Sequence, residues 1–413
     1  MHTLSQLKSG QLSGIKRLSL AENLSSFPLE ILSLADSLEI LDLSNNQLSS
    51  LPAELVQLHK LKVIFASNNN FETLPDILGQ CPNLEMVGFK SNKIKHVSEE
   101  SLPPKLRWLI LTGNQVEKLP DSLGERPRLQ KLVISGNNLT QLPKTMSQSL
   151  NLELLRVSAN KLTEFPAQLL DLPKLAWLAV SGNPFSQTDA EIGTVPRISS
   201  ASFTLHKQLG QGASGVISTA TWNSEHPQFP DEIAVKVFKG EVTRDGYPED
   251  ELKACLKAGD HPNLVQPLAH VNEEGYLALI MELIPHHYTN LGLPPSFESC
   301  TRDTFPDGFS LSIEQIEKIV NQMEDVFTHL HDNKVSHGDL YAHNILFDDD
   351  ANIIFGDFGA ATLYHMLNEI QQNKLKQIEQ RALNHLIDDL LSVCVEEEKN
   401  SERYKRFQRY VAK

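Results

Sequence analysis

The sequence predicts two domains of different class, an α/β solenoid of stacked strand units in the first half and a two-lobed α+β domain in the second. An asparagine recurs at a nearly constant interval from Asn23 to Asn183. Beyond it, glycines near residue 210 lie between segments of alternating apolar residues. With 413 residues, the chain is long enough for two or three domains with separate cores.

The composition is that of a globular protein, with 40% apolar and 22% charged residues. A net charge of -15, from 52 acidic and 37 basic residues, argues against nucleic acid or an anionic membrane as the main partner. The four cysteines are scattered and form no CxxC pair, which favours a cytoplasmic location. The first sixteen residues lack an apolar core of signal-peptide length, and no stretch between the two halves reaches the roughly 20 apolar residues of a membrane span.

The asparagine series marks a repeat. Successive members are 23 residues apart, except for a single interval of 22. Around them recurs the pattern LxxLxLxxNxL, as in LEILDLSNNQL (38–48), and the match resembles the leucine-rich repeat family over roughly residues 12–186. The series consists of Asn23, Asn46, Asn69, Asn92, Asn114, Asn137, Asn160 and Asn183.

Each repeat position has a physical reason. Alternating leucines on a short strand face one side, and one unit alone cannot bury them, whereas about eight stacked units form a continuous core. The asparagine turns the chain off the strand, and its amide can bond backbone groups of neighbouring turns that would otherwise be buried without partners. We therefore predict a solenoid over residues 1–186.

The strand positions between the core leucines are apolar, although in a solenoid they form the concave binding face. We expect this face to bind a polypeptide partner or the second half of the chain, because contiguous exposed apolar area tends to mark an interface. In the alternative, these side chains pack sideways and only stiffen the sheet; Lys131 and Arg156 are polar exceptions. The candidate partner-binding residues are Phe65, Met86, Trp108, Ile110 and Trp177, with Ile40, Val63, Val133 and Leu154 at equivalent positions.

The repeat stops after Asn183, and residues 187–200 are predicted to form a polar linker before a domain over 201–413. This domain begins with a GxGxxG pattern at Gly210, Gly212 and Gly215. In dinucleotide sites such glycines lead into a helix, but here β-branched residues continue a strand. The pattern therefore predicts a hairpin that covers phosphates.

Two further segments supply polar groups at strand and helix positions. Lys236 lies in the middle of a Val/Ile strand, where a lysine is costly unless it is paired. The next helical segment offers Glu251 as its partner, with Glu249 as the alternative. The strand GYLALIMELIP (275–285) then runs through Met281 into a connector that begins at Glu282 and ends at a proline, which suits a hinge.

The stretch SHGDLYAHNIL (336–346) has the pattern of a loop that holds a base and a metal ligand against one phosphate. Asp339 and Asn344 are its candidate polar residues, while His337 is interpreted as a packing residue and His343 as structural or substrate-facing. The segment NIIFGDFGAA then places Asp357 18 residues after Asp339.

In this order and at this spacing, the five motifs resemble the eukaryotic-type protein kinase family. The combination with repeats is most similar to leucine-rich repeat protein kinases of soluble, bacterial type. The resemblance implies that backbone amides from Gly210 to Gly215 cover the phosphates of ATP, and that Lys236 holds the α and β phosphates while paired with Glu251.

The same resemblance implies roles for the remaining residues. Asp357 and Asn344 would bind Mg²⁺, and Asp339 would accept or orient the proton of the substrate hydroxyl. Met281 would lie behind the adenine, and Glu282 would belong to the hinge. Phosphoryl transfer needs mainly positioning and charge neutralisation, and each task then has a residue.

The sequence departs from the kinase pattern at three places. Gly338 replaces the arginine that would grip a phosphorylated activation loop, so control by that route is not expected. Tyr341 replaces the lysine that serine/threonine kinases carry near the γ-phosphate, so one charge-stabilising group is missing, which lowers the rate unless a nearby cation replaces it. No APE-type motif follows Asp357, the large lobe is short, and we align Glu379 with the acidic residue that anchors the catalytic loop.

These observations predict an ATP- and Mg²⁺-dependent protein kinase acting on Ser or Thr, with the repeats recruiting a protein partner or substrate. In one alternative, the repeats act as a scaffold and the kinase fold is weak or inactive. In a second, the chain phosphorylates a small molecule, since HGDLYAHNIL (337–346) is also similar to the loops of aminoglycoside and choline phosphotransferases.

Overall fold

The computed structural model describes residues 1–186, 195–212, 214–224, 228–240 and 242–411. Residues 187–194 of the predicted linker lie outside this description. The chain divides into two compact units, each described here by itself. The first consists of Met1–Leu175 and Asn183–Phe185, and the second of Ala176–Gly182 and Ser186–Lys413. This division differs from the predicted boundary at residue 186, because Ala176–Gly182 group with the second unit.

The repeats form one sheet of eight parallel strands that follow one another in chain order. Equivalent repeat positions pair directly, as in Leu18 with Leu41 and Leu132 with Leu155. This arrangement confirms the predicted solenoid. The strands are β1 Arg17–Ser19, β2 Ile40–Asp42, β3 Val63–Phe65, β4 Met86–Gly88, β5 Trp108–Ile110, β6 Lys131–Val133, β7 Leu154–Arg156 and β8 Trp177–Ala179.

The central residue of each strand is buried, and the return path of most repeats is a short 3-10 helix that begins after a proline. Proline suits this position because its φ is already near the helical value and no N–H is lost there. A short helix, α1 (Leu4–Lys8), begins the chain with a capping box between Thr3 and Gln6. The 3-10 helices of the repeats are Leu29–Leu34, Ala53–Gln57, Asp76–Gln80, Asp121–Leu123, Lys144–Gln148 and Ala167–Leu169.

The buried asparagines bond neighbouring turns, as predicted. Asn137 donates from Nδ2 to the carbonyls of Leu111 (2.9 Å) and Ile134 (3.0 Å), and its Oδ1 accepts from the Val116 N–H (2.9 Å). Equivalent bonds recur at Asn46, Asn69, Asn92, Asn114 and Asn160. Asn23, the first of the series, differs because it is exposed and has a left-handed backbone (φ 59°).

The second unit contains a five-stranded antiparallel sheet in the order β12-β13-β11-β10-β9. Its strands are β9 Phe203–Gln211, β10 Gly215–Trp222, β11 Glu232–Phe238, β12 Pro267–Glu273 and β13 Tyr276–Glu282. β9 and β10 form the hairpin that the glycine pattern predicted. Helix α2 (Pro248–Ala258) follows β11, begins with proline in its first turn and ends at Gly259, whose φ of 69° reverses the chain.

The rest of the second unit is mainly helical, with one three-stranded and one two-stranded sheet of short strands beside the motif loops. Helix α3 begins at a capping box formed by Ser312 and Gln315. Among the described residues, no helix is long and apolar enough to cross a membrane. The elements are β14 Thr289–Asn290, α3 Ile313–Asp332, β15 Val335–Ser336, β16 Ile345–Phe347, β17 Ile353–Phe355, β18 Thr362–Leu363, α4 Glu369–Ser392 and α5 Glu402–Val411.

Candidate active site

A cleft of about 650 Å³ in the second unit is lined by residues of the antiparallel sheet, helix α2 and the loops that follow α3. Lys236 and Asp357 face this same cleft, which is the condition on which the enzymatic interpretation depends. Of the predicted site residues, the lining includes Gly212, Gly215, Lys236, Glu251, Met281, Asn344 and Asp357. Asp339 is hydrogen-bonded to Asn344, which lines the cleft. Glu282 is exposed at the end of β13.

Lys236 and Glu251 form a buried ion pair. Their side chains are 12% and 5% exposed, and Glu249, the alternative partner, is exposed. Burial by itself lowers the pKa of Lys236, but the negative charges of Glu251 and Asp357 outweigh it, so its pKa is raised. Burial raises the pKa of Glu251, and the lysine opposes that effect. The lysine therefore stays charged inside the sheet because α2 brings a carboxylate to it.

The glycines of the hairpin serve two different purposes. A Cβ on Gly215 would lie 2.5 Å from the carbonyl oxygen of Val237, so this glycine is required for strand packing. A Cβ on Gly210 or Gly212 would meet nothing within 4 Å. Those two positions leave room for a ligand to approach the backbone closely.

Asp357 has a left-handed backbone (φ 59°, ψ 73°), which is unusual for a residue other than glycine. Its Oδ1 accepts from the N–H of Gly359 (3.4 Å). The next residue, Phe358, is buried against His337 with ring centroids 5.0 Å apart. This packing turns the Asp357 side chain toward the cleft.

Asn344 holds Asp339 in place. Its Nδ2 donates to both the carbonyl oxygen and the carboxylate Oδ2 of Asp339, each at 3.0 Å. Because the amide nitrogen is used in this way, Oδ1 is the Asn344 atom suited to a cation. Asp339 itself is only 4% exposed.

The metal ligands implied by the kinase resemblance are one carboxylate, Asp357, and one amide, Asn344. In the described part of the chain, no group of three or more His, Cys, Asp or Glu is arranged to hold a metal ion. Mg²⁺ usually takes one or two carboxylates and completes its shell with phosphate oxygens and water. The donor set therefore fits Mg²⁺ that arrives with a nucleotide.

Glu379 is hydrogen-bonded to the loop that contains Asp339, as the sequence predicted. Its Oε1 accepts from the backbone N–H groups of His337 (2.6 Å) and Gly338 (3.2 Å). Burial raises the pKa of Glu379 to about 7, and the bonds from the backbone oppose that rise. His337 is fully buried against Phe355, and its Nε2 bonds the carbonyl of Gly356 (2.9 Å), as expected of a packing residue.

His343 lines the cleft and pairs with a residue that sequence reasoning missed. Its ring Nδ1 lies 2.7 Å from Oδ1 of Asp303, and its backbone N–H donates to Oδ2 of the same carboxylate (3.3 Å). Arg302 in turn binds Asp388 and Asp389 on α4. The structural role expected for His343 therefore has a partner 40 residues earlier in the chain, where no motif signals it.

The segment 176–182 packs against the catalytic loop within the second unit. Trp177 donates from Nε1 to the carbonyl of Leu340 (2.8 Å), and its ring stacks on Tyr341 and His385. The N–H of Val180 donates to Oγ1 of Thr362 (3.3 Å). Trp177, which the repeat pattern assigns to a concave binding face, is 1% exposed and already covered.

These contacts explain two departures from the kinase pattern. Gly338 has φ 72°, and a Cβ there would lie 2.6 Å from the carbonyl oxygen of Leu178 and 2.8 Å from that of Ala360, so no side chain fits. Tyr341 is 5% exposed in its stack with Trp177. A lysine in this place would have its charge buried against an indole ring.

Arg244 is a second residue that sequence reasoning missed. It lies between β11 and α2, lines the cleft, and donates from Nε to Oδ2 of Asp245 (2.9 Å). Its Nη2 lies 4.0 Å from Oδ2 of Asp339. A single Arg-Asp pair in a polar loop has no periodic or motif signal, so only the fold reveals it.

The other concave-face candidates lie in the first unit. Met86 is buried, whereas Phe65, Trp108 and Ile110 are half-buried. Some of this burial is sideways packing: a Cβ on Gly88 would lie 2.5 Å from Cδ1 of Phe65, and Nζ of Lys131 lies 4.1 Å from the centroid of the Trp108 ring. Partner binding by this face stays a prediction.

Comparison with known proteins agrees with the two-part organisation. A protein kinase domain model matches residues 203–379, and leucine-rich repeat models match residues 36–79 and 127–185. A leucine-rich repeat protein of Leptospira interrogans is similar in structure, with 28% identity, coverage of 40% of this chain and 48% of that chain, and a TM-score of 0.38.

Three curated relatives match parts of the chain. Fibroblast growth factor receptor 1 of Xenopus laevis is 26% identical over 40% of this chain and 21% of its own length. An L-type lectin-domain containing receptor kinase (IX.2) of Arabidopsis thaliana is 31% identical over 39% and 22%. Serine/threonine-protein kinase PknF of Mycobacterium tuberculosis is 26% identical over 39% and 32%.

The match thus spans between about a fifth and a third of the length of these curated relatives. The kinase and leucine-rich repeat models match separate parts of the chain. The chain therefore consists of leucine-rich repeats over residues 36–185 followed by a protein kinase domain over residues 203–379.

Proposed function

We propose that this protein is an ATP- and Mg²⁺-dependent protein kinase that phosphorylates Ser or Thr side chains. The observation that carries the proposal is the convergence of four polar side chains on one cleft. These are Lys236, its partner Glu251, Asn344 and Asp357. Asn344 is in turn hydrogen-bonded to Asp339.

The cleft suits phosphoryl transfer because that reaction needs positioning and charge neutralisation more than covalent chemistry. Lys236 would bind the α and β phosphates, and the open space at Gly210 and Gly212 would let backbone approach them. Mg²⁺, when bound with ATP, would neutralise charge on the phosphates. Asp339 would accept or orient the hydroxyl proton, and Asn344 keeps its carboxylate in position.

We further propose that the repeats recruit the protein partner or substrate. The half-buried Phe65, Trp108 and Ile110 are the residues through which the concave face would bind it. The choice of Ser or Thr as acceptor is supported by the similarity to PknF. A cytoplasmic location is supported by the scattered cysteines and the lack of any CxxC pair.

Radiolabel transfer from ATP tests the proposal. Wild type, Asp339→Ala and Lys236→Met would be compared, with Asp349→Ala as a matched control, since Asp349 is exposed and does not line the cleft. We expect labelled Ser or Thr in generic protein substrates with wild type and control, and none with the other two variants. Equal labelling in all four proteins would favour a scaffold, and labelling of aminoglycosides or choline alone would favour a small-molecule phosphotransferase.

A further inference from the structure

We propose that Arg244 is a catalytic residue that binds the γ-phosphoryl group during its transfer, in the place left by the buried Tyr341. This inference rests on the proposed function. It assigns a role to a residue of the β11–α2 connection, which carries no kinase motif.

The need for such a cation follows from the catalytic loop. Position 341, two residues after Asp339, holds a tyrosine whose ring is stacked on Trp177 and is 5% exposed. Gly338 on the other side of Asp339 has no side chain. The loop between Gly338 and Asn344 therefore brings no lysine or arginine to the transferred phosphate.

Arg244 comes to the same carboxylate from a different element. Its Nη2 lies 4.0 Å from Oδ2 of Asp339, the oxygen that also accepts from Asn344. Asp245 holds the other side of the guanidinium through Nε at 2.9 Å. The Arg244 side chain is 55% exposed and lines the cleft.

The charge balance of the cleft supports this role. Four carboxylates, those of Asp245, Glu251, Asp339 and Asp357, lie at or beside it. Lys236 is paired with Glu251 inside the sheet, whereas Arg244 lies 4.0 Å from Asp339. The charge of Asp245, partly opposed by burial and reinforced by Asp339 and Asp357, raises the pKa of Arg244, which keeps the guanidinium charged.

In the transfer step, the oxygen of the acceptor hydroxyl forms a bond to the γ-phosphorus as the bond from that phosphorus to the β–γ bridging oxygen breaks. The electron pair of the broken bond leaves with ADP, and the hydroxyl proton goes to Asp339. Charge spreads over the three peripheral oxygens of the transferred group. The planar guanidinium of Arg244 can donate two hydrogen bonds to them, and Asp245 fixes its orientation.

Nucleotide binding distinguishes this role without relying on turnover. Titration calorimetry with Mg²⁺ would compare ADP with a non-hydrolysable ATP analogue for wild type, Arg244→Ala, Arg244→Lys and Lys257→Ala. Lys257 is an exposed cation on α2 outside the cleft lining, so its variant is matched for net charge. In Arg244→Ala we expect Kd for the analogue to rise about tenfold or more and Kd for ADP to change less than about twofold.

Turnover gives the second measurement. We expect kcat of Arg244→Ala to fall by at least about 100-fold and Arg244→Lys to retain an intermediate rate, because a lysine keeps the charge but loses the fork. Asp245→Asn should fall between wild type and Arg244→Ala, since it loosens the orientation of the guanidinium.

Three outcomes would overturn the inference: wild-type kcat in Arg244→Ala, equal weakening of ADP and the analogue, or an equal effect of Lys257→Ala. If Arg244→Ala unfolds, the same comparison of ADP and analogue in Arg244→Lys decides the question. Failure of wild type to bind nucleotide or transfer phosphate would instead reject the proposed function, so the two failures are distinguishable.

Discussion

The rings of Trp177 and Tyr341 lie parallel, with centroids 4.7 Å apart and an interplanar angle of 4°. The same indole donates a hydrogen bond to the carbonyl of Leu340, the residue between Asp339 and Tyr341. The backbone beside Asp339 is therefore supported by the indole of Trp177, a residue of β8.

Replacing Trp177 with Phe should weaken this support. The variant keeps a ring but leaves the Leu340 carbonyl without its indole donor, which costs about 1 to 3 kcal/mol. We expect kcat to fall at least about tenfold, since small displacements of reacting groups have large effects. Trp222→Phe is the control, because it loses a similar bond, to the Pro230 carbonyl, on the antiparallel sheet. An equal effect of both variants on kcat would contradict the prediction.

Adding a methyl group at Gly338 should disable the loop. The left-handed backbone costs a residue with a Cβ about 1 to 2 kcal/mol, and the methyl group would also overlap the carbonyls of Leu178 and Ala360. We expect Gly338→Ala to lose phosphoryl transfer and to unfold at a lower temperature. Gly308→Ala provides the matched control, with φ 78° and nothing within 4 Å of the added Cβ. Thermal unfolding gives the unfolding temperature of both variants. The difference between their two shifts is due to the overlap, because both variants carry the backbone cost, and equal shifts would argue against the overlap.

Glu379 gives a pH dependence with a definite sign. Its pKa is about 7 in the folded chain against a usual 4.5, so the folded state binds the extra proton between these values. Its contribution to stability is therefore present below about pH 4.5 and is lost as the pH rises to about 7. His331, 3.4 Å from Oε2 of Glu379, has the opposite trend, because burial lowers its pKa from 6.5 to about 4.

Glu379→Gln should remove the pH dependence of stability that comes from Glu379. The amide can still accept from His337 and Gly338 but does not ionise. Relative to wild type, the variant should gain stability by on the order of 3 kcal/mol between about pH 4.5 and 7. Urea unfolding at several pH values measures this difference. Proteolysis of the protein at each urea concentration, read from peptides of the kinase domain, follows the unfolding of that domain. The exposed Glu274→Gln is the control, and a parallel pH dependence of Glu379→Gln and wild type would refute the assignment.

The asparagine ladder should account for much of the stability of each repeat. Asn137→Ala leaves the buried carbonyls of Leu111 and Ile134 and the N–H of Val116 without the amide, which should lower the unfolding free energy by about 2 kcal/mol or more. Asn138→Ala is the neighbouring control, whose exposed amide makes one weak bond to the Gln115 carbonyl at 3.5 Å. We expect that change to stay within about 0.5 kcal/mol. Similar losses in the two variants, measured by urea unfolding, would contradict the role of the ladder.

The parts of the structure that could be predicted are those with a repeated or local signal. The repeat interval led directly to the parallel sheet, because stacking units of equal length places equivalent residues in register. The glycine pattern followed by β-branched residues predicted the β9–β10 hairpin. A buried lysine requires a partner, and α2 supplies Glu251. Alignment of its helix with the kinase pattern led to Glu379.

The parts that could not be predicted depend on contacts between residues with no common pattern. Arg244 lies 95 residues before Asp339, and nothing in its local sequence distinguishes it from a surface arginine. Asp303 and His343 likewise meet only through the fold. Trp177 obeys the repeat pattern, which places it on a face expected to bind a polypeptide or the second half of the chain, but the pattern does not indicate that it is buried beside Tyr341.

Local patterns were sufficient for the solenoid and for the pairing of Lys236 with Glu251, since hydrophobic periodicity and the need to pair buried charge act over short stretches. The other residues of the cleft were predicted from the resemblance of their motifs to the kinase family. The folded chain alone specifies what surrounds those residues: the ring that covers Tyr341, the carbonyls that exclude a side chain at Gly338, and the guanidinium beside Asp339. Such contacts arise from close packing of segments that are distant along the chain, and the local sequence of each segment does not indicate which other segment it packs against.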